Sequence, residues 1–249
     1  MNNIYNSFAH VYDCLIDDVD YKKLCDEFFA ICKKHSHKPK LVLDAACGTG
    51  NFTNELVKRK LDVIGVDNSS EMLSVAREKL PTGTTLICQD LCELDLYGTI
   101  DTVFCTLDSL NHITDYEKFK TAISKMALFL EPGGLMFFDV NTVYKHNEIL
   151  CNNMFADEKE NIYLVWQNEL LKENVVDINL DFFVKQEDGA YLRFNENFKE
   201  RAYSDDEIKK ALDEANLEIL ETKDFFSMKS PTENAEKIIY IVKKGENHE

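Results

Sequence analysis

The segment Asp44-Ala-Ala-Cys-Gly-Thr-Gly50 carries the first chemistry that this sequence offers. Gly48 and Gly50 let the backbone approach a ligand closely, and a helix opening at Asn51 presents free N–H donors beside them. A G-x-G pair alone suits several kinds of adenosine-containing ligand. Two residues narrow the choice. Thr53 stands where a dinucleotide fingerprint has its third glycine. Asp44 stands just before the loop, where a carboxylate repels a pyrophosphate and attracts a cation. Asp67, at the end of the next apolar run, is placed to hydrogen-bond ribose hydroxyls, whichever ligand carries them. Further along, Leu107-Asp-Ser-Leu-Asn-His112 supplies an imidazole able to act as a general base near neutral pH. Asp108 reads as a cap or hydrogen-bonding residue of that loop. Tyr12 is a candidate to orient an acceptor or a ligand, or else a packed helix residue.

The elements that must position these groups follow from periodicity. Residues from about Ile4 to Lys34 read as mainly helical, with Tyr21, Leu24, Cys25, Phe28, Phe29 and Cys32 on one apolar face, and Pro39 stops the pattern. Strands are expected at 41–43, 62–66, 85–88, 100–105 and 135–140, and helices at 51–60, 70–80 and 116–130. Strands alternating with helices imply a doubly wound parallel sheet, with ligands at the carboxyl ends of its strands. The pattern changes after Val140. Segments 163–166, 175–183 and 190–198 alternate apolar with polar, and Glu187-Asp-Gly189 signals a hairpin, so an antiparallel sheet with one wet face is expected. Ser204 and Glu207 form a capping box for a helix over 205–215. Strands at 217–226 and 237–242 then close the main sheet as an antiparallel edge. Residues 1–142 with 204–249 form the core unit in this reading, and 143–203 an insertion that roofs it.

The 249 residues suffice for one α/β domain with an insertion and carry a net charge of −17, spread along the chain. Nucleic-acid binders need a basic patch; the densest cluster here, Lys33 to Lys40, reads as a polar helix end and loop. A neutral or cationic small substrate suits the field better. The eight cysteines form no C-x-x-C pair or zinc pattern. They read as buried thiols of a reducing compartment, and His35 and His37 as loop residues, so no metal is expected. The N-terminus has no signal-peptide pattern and no stretch reaches the length of a membrane span, which points to a cytoplasmic protein.

VLDAACGTGNFTNEL, VIGVDNSSEMLSVAREK, CQDLCEL and LEPGGLMFFDVN, in this order over residues 40 to 142, resemble class I S-adenosylmethionine-dependent methyltransferases. Tyr5-x-x-Phe8-Ala-x-x-Tyr12-Asp13 and Glu200-Arg-Ala-Tyr-Ser204 are similar to the small-molecule branch, which includes sugar N-methyltransferases. The resemblance implies a seven-stranded Rossmann-like sheet and S-adenosylmethionine as cofactor, whose ammonium and sulfonium groups suit Asp44. It implies that Asp44, Ala46, Gly48 and Gly50 line the methionine part. Asp67 takes the ribose, and Asn68 and Met72 flank the adenine. Asp90 binds the adenine amino group beside the Leu91 backbone, Leu107 faces methionine and ribose, and Tyr5 and Tyr12 cover the cofactor. A histidine in a similar loop is a candidate base in that branch, which supports His112 as a catalytic residue beside Tyr12.

Plainer readings stand beside these. Asp90 caps a turn, Met72 is core, and His112 only hydrogen-bonds its loop. Trp166 and the other aromatic residues of the insertion read as core or dimer contacts, with an aromatic wall for a cation as the alternative. The expected partner is a small-molecule acceptor of a methyl group on nitrogen or oxygen, with a homodimer as a further expectation. An RNA methyltransferase and a non-catalytic S-adenosylmethionine-binding protein are the alternatives.

Overall fold

The computed structural model describes residues 8–16, 18–159 and 161–246. Tyr5 lies outside them. Two helices open the described chain, α1 (Phe8–Leu15) and α2 (Tyr21–Lys34). The single helical stretch expected over 4–34 is therefore divided. Asp20 divides it, because its side chain accepts from the Lys23 N–H and starts α2 afresh. Then follow β1 (Leu41–Ala45), α3 (Asn51–Lys58), β2 (Asp62–Asp67), α4 (Ser70–Lys79), β3 (Thr85–Cys88), β4 (Ile100–Cys105), α5 (Tyr116–Phe129) and β5 (Leu130–Asn141). A π-helical turn, Lys145–Leu150, leads into the insertion: β6 (Met154–Lys159), β7 (Ile162–Leu170), β8 (Val175–Lys185) and β9 (Tyr191–Arg201). The chain returns through α6 (Asp205–Glu214), β10 (Leu217–Asp224) and β11 (Lys237–Lys244).

The main sheet has seven strands in the order β10-β11-β5-β4-β1-β2-β3. β1 to β5 are parallel, and the β10–β11 pair closes the edge by antiparallel pairing of β11 with β5. The order reverses at β1, so the ends of β1 and β4 form the crevice where such sheets bind ligands. Both faces are covered, one by a core including Phe28, Phe52, Phe104 and Phe137, the other by a core including Phe119, Phe138 and Tyr203. Ser204 and Glu207 form the expected capping box of α6.

The insertion is a four-stranded antiparallel sheet in the order β6-β7-β8-β9. On β8, Val176, Ile178, Leu180, Phe182 and Val184 are buried, while the residues between them pair with polar side chains of β9, as Asn179 does with Asn195. The buried face packs on Val11 of α1 and Leu150 of the π-helical turn. β6 has no counterpart in the sequence reading. Among the described residues no helix is long and apolar enough to cross a membrane.

Candidate active site

The loop after β1 is built for close approach. Ala46, Gly48 and Gly50 all take positive φ, at 57°, 53° and 79°. For Ala46 this is a strained conformation, which persists only where its surroundings enforce it. Cys47 N–H donates to the Val66 carbonyl at 2.9 Å, and Gly48 N–H to the Asp67 carboxylate at 2.8 Å, so β2 holds the loop. A methyl group on Gly50 would meet Ala76 Cβ at 3.0 Å and Leu80 Cδ1 at 3.1 Å. Gly50 therefore lets α3 start close to α4.

A cavity of about 1070 Å³ runs from this loop to the underside of the insertion. Its volume is at the upper end of the range for ligand sites, roughly 300–1000 Å³. Tyr12, Ala46, Gly48, Asp67, Asn68, Met72, Asp90, Leu91, Leu107 and His112, all singled out from sequence, line it together. Gly50 lies off the wall, and this departs from the expectation; its place is the α3–α4 contact. Asp44 lines a small adjoining cleft with Tyr21 and Thr106, which shares Tyr12, Ala46, Gly48 and Leu107 with the large cavity.

Asp44 is 1% exposed and accepts a short hydrogen bond from Thr53 Oγ1. Thr53, read from sequence as a missing glycine, is the partner of that carboxylate. Burial pushes the Asp44 carboxyl up to about 7, and the nearby Asp67 adds to the shift against the Thr53 hydrogen bond. Asp67 accepts from Gly48 N–H and Ser69 N–H with one oxygen each. Each oxygen keeps further acceptor capacity, and Asp67 lines the cavity. Asp90 both caps the turn 91–93, by accepting from Cys92 N–H at 2.8 Å, and lines the cavity. Met72, half-buried at the start of α4, is a wall residue.

Tyr12 lines both spaces. Burial raises its phenol well above the ordinary range, with Tyr21 and neighbouring carboxylates adding to the effect. Its hydroxyl keeps its proton and serves as a hydrogen-bonding group. The next residue, Asp13, fixes α1 to the loop: it accepts from Thr49 Oγ1 at 2.6 Å and Asn51 Nδ2 at 2.9 Å, and pairs with Lys79.

The loop after β4 carries consecutive positive φ angles, 59° at Leu107 and 53° at Asp108. Asp139, fully buried on β5, holds it by accepting both N–H groups at 2.7 Å. Burial pushes the Asp139 carboxyl up to about 6, against the opposing Lys237 ammonium. Lys237 donates to Asp108 Oδ1 at 2.5 Å and lies 3.7 Å from Asp139. Burial of Asp108 is outweighed by Lys237 and Lys145, so its carboxyl stays well below the usual range. Asp108 is thus half of a part-buried ion pair with Lys237.

His112 ends this loop and faces the insertion. Its ring centroid lies 5.0 Å from that of Phe198, and its Nε2 lies 3.8 Å from Glu200 Oε1. Glu200 is 5% exposed, accepts from Asn141 Nδ2 at 3.0 Å and lies 3.7 Å from His146 Nε2. Sequence reasoning gave no role to Asp139, Lys237, Lys145 or Glu200, and read Trp166 and its aromatic neighbours as core or dimer contacts, with an aromatic wall for a cation as the alternative. Trp166, Phe155 and Phe198 line the cavity. Alternation along β9, which puts Glu196, Phe198 and Glu200 on one face, was the available signal. His35 and His37, read as loop residues, are tied separately to Glu221 at 2.6 Å and Thr102 at 2.8 Å.

A methyltransferase-domain family model matches residues 42–134. A methyltransferase of Geobacillus sp. strain WCH70 is 32% identical over 247 residues, which cover 96% of this chain and 99% of the relative. This chain belongs to the class I S-adenosylmethionine-dependent methyltransferases. The methyltransferase superposes on the crystal structure of an S-adenosylmethionine-dependent methyltransferase from Clostridium acetobutylicum ATCC 824 with a TM-score of 0.89 and 37% identity, over 98% of this chain and 100% of that one. It shares its fold with the sugar N-methyltransferase KedS8 of Streptoalloteichus sp. ATCC 53650, at a TM-score of 0.80 and 21% identity over 99% and 98% of the two chains. Its methyl donor is S-adenosylmethionine. The observed residues fit a cationic donor: the buried Asp44 carboxyl with its raised pKa lines the cleft beside the loop, and Asp67 at the end of β2 and Asp90 just beyond β3 line the cavity.

Proposed function

We propose that this methyltransferase moves a methyl group to nitrogen or oxygen of a small molecule held under the insertion. One observation carries the reading: a single cavity reaches from the β1 loop to the β9 strand, and His112 lines it beside Phe198 and Glu200 of β9. The neighbour KedS8, named as a sugar N-methyltransferase, is consistent with it.

The residues divide by position. Asp44, Ala46 and Gly48 would hold the methionine part of the donor, Asp67 its ribose, and Asn68, Met72, Asp90 and Leu91 its adenine. When bound, S-adenosylmethionine supplies an electrophilic methyl group on a sulfonium. Leu107 is fixed against that region by the Asp139 carboxylate. Tyr12, protonated, donates a hydrogen bond rather than taking a proton. His112 takes the acceptor's proton at a ring nitrogen, and the Glu200 carboxylate nearby stabilises the imidazolium that forms. The insertion covers the far end with Leu180, Trp166 and Phe198, which line the cavity there.

Incubation with methyl-labelled S-adenosylmethionine and a fractionated metabolite pool tests the reading. Label is expected in a low-mass compound, with His112→Asn lowering its turnover by about 10²–10⁴-fold and leaving donor affinity unchanged. Unchanged turnover of His112→Asn across pH would remove the base from the mechanism. Label found only in RNA would overturn the acceptor class.

A further inference from the structure

The roof of the cavity is a rung of the insertion sheet. Phe155 pairs with Trp166, Trp166 with Leu180 and Leu180 with Glu196 across all four strands. Directly opposed residues of antiparallel strands share a face, and all four line the cavity. Phe198 and Glu200 follow on the same face of β9. The roof is therefore an apolar band bordered by carboxylates. Trp166 is fixed on two sides: it meets Phe155 edge to face at 5.5 Å, and its indole N–H donates to Asn168 at 2.5 Å.

The charge of the wall is one-sided. Among the described residues, seven carboxylates, three lysines and no arginine line the cavity. Lys237 is held by Asp108, and Lys145 donates to Asn141 Oδ1 at 2.9 Å between Asp108 and Glu200. Phosphate groups are gripped by arginine forks, lysines or open helix N-termini. The α4 and α5 N-termini on this wall are capped by Ser69 and Asp115, whose oxygens accept first-turn N–H groups. At the roof, burial raises the Glu196 carboxyl, and Glu71 nearby raises it further, so this end is short of positive charge.

We propose that the acceptor is an organic amine without phosphate groups, its ammonium seated between Glu200 and His112 and its apolar body laid against Trp166 and Phe155. This rests on the small-molecule methyltransferase reading above. The 3.8 Å between His112 Nε2 and Glu200 Oε1 is too long for a hydrogen bond between them. A nitrogen about 2.9 Å from both atoms fits that gap as the apex of a triangle. The ammonium donates one N–H to Glu200 and transfers a proton to His112 Nε2. The electrons of that N–H bond stay on nitrogen as the lone pair a methylation needs. The aromatic roof adds cation–π attraction before the proton leaves. Glu200 and the Phe155–Trp166 pair thereby set specificity.

Trp166 is the sole tryptophan of the chain, so its emission reports on the roof alone. The full-length protein, saturated with S-adenosylhomocysteine so that no transfer occurs, is titrated with phenethylamine, 2-phenylethanol and 2-phenylethyl phosphate. Phenethylamine is expected to change the emission and to bind about tenfold or more tighter than the other two, as a charge-assisted hydrogen bond provides. Glu200→Gln removes that preference while S-adenosylhomocysteine affinity stays the same. The wild-type comparison stands by itself if the variant fails to fold. Equal binding of the alcohol or the phosphate, no binding of the amine, or a preference that survives Glu200→Gln overturns the proposal. The two readings fail separately. Label entering a phosphorylated acceptor sinks this proposal and leaves methyl transfer intact. Amine binding with no label in any small molecule does the reverse.

Discussion

At Asp44, burial and function pull in opposite directions. The side chain is 1% exposed, and burial pushes its carboxyl up to about 7. In the free protein it binds a proton that the unfolded chain releases near pH 4. The native state thus holds more protons between about pH 4 and 7, and this residue's contribution to stability falls as pH rises through that window. A bound cationic group favours the ionised form, so donor binding expels the proton. Calorimetric titration with S-adenosylmethionine at pH 6.5, in two buffers of different ionisation enthalpy, should show net release of protons, since burial raises the Asp44 carboxyl to about 7. Asp44→Asn should abolish the release and weaken donor binding; release unchanged in that variant would assign the proton elsewhere. This residue was legible in the sequence because it adjoins the loop it serves. Asp139 was not: its role is to accept two N–H groups from residues 107 and 108, and only the pairing of β4 with β5 brings them together. Gly50 belongs to the motif, and the fold adds a second demand on it, because a side chain there would meet Ala76 and Leu80 of the neighbouring helix end.

The elements were legible where periodicity is strong. All seven strands of the main sheet and α3 to α6 follow from apolar spacing and caps. β6 escaped because Met154–Lys159 is an exposed edge strand with a polar second half, so no alternation marks it. The π-helical turn at 145–150 leaves no spacing signature either, yet it places Lys145 on the cavity wall. β11 shows how an element delivers chemistry across the fold. Its antiparallel pairing with β5 sets Lys237 opposite Asn141, beside the strand ends that carry Asp108 and Asp139. Lys237 is 7% exposed, and its ammonium is held protonated against burial by those two carboxylates. Lys237→Met strips the buried Asp139 and the part-buried Asp108 of their nearest cation, leaving Asp108 with Lys145, and should cost up to about 3–5 kcal/mol in urea unfolding. Adding Asp108→Asn to that variant should restore part of the loss, because it removes one stranded charge. A double variant no more stable than the single would show that the pair does not act as a unit.

At the scale of the whole molecule, the net charge of −17 and the acid-rich cavity act on ligands before contact. S-adenosylmethionine carries a net positive charge, through its sulfonium and ammonium groups against one carboxylate. S-adenosylhomocysteine has lost the sulfonium charge and is neutral overall. The two differ little in shape, so a long-range field separates them while local packing does not. An acidic cleft raises the approach rate of a cation and exerts no net pull on a neutral zwitterion. Ionic strength removes that advantage, since the screening length falls from about 30 Å at 0.01 M salt to about 10 Å at 0.1 M. Stopped-flow association of the donor should therefore slow about threefold to tenfold between about 10 and 300 mM salt. Association of the product should change by less than about twofold over the same range. Dissociation rates should respond less, because contacts already formed are screened less than charges at a distance. The asymmetry favours capture of the donor over rebinding of the spent product at low salt. Equal salt dependence for both ligands would show that the field at the mouth is neutralised locally, and would confine the electrostatic preference to direct contacts such as Asp44.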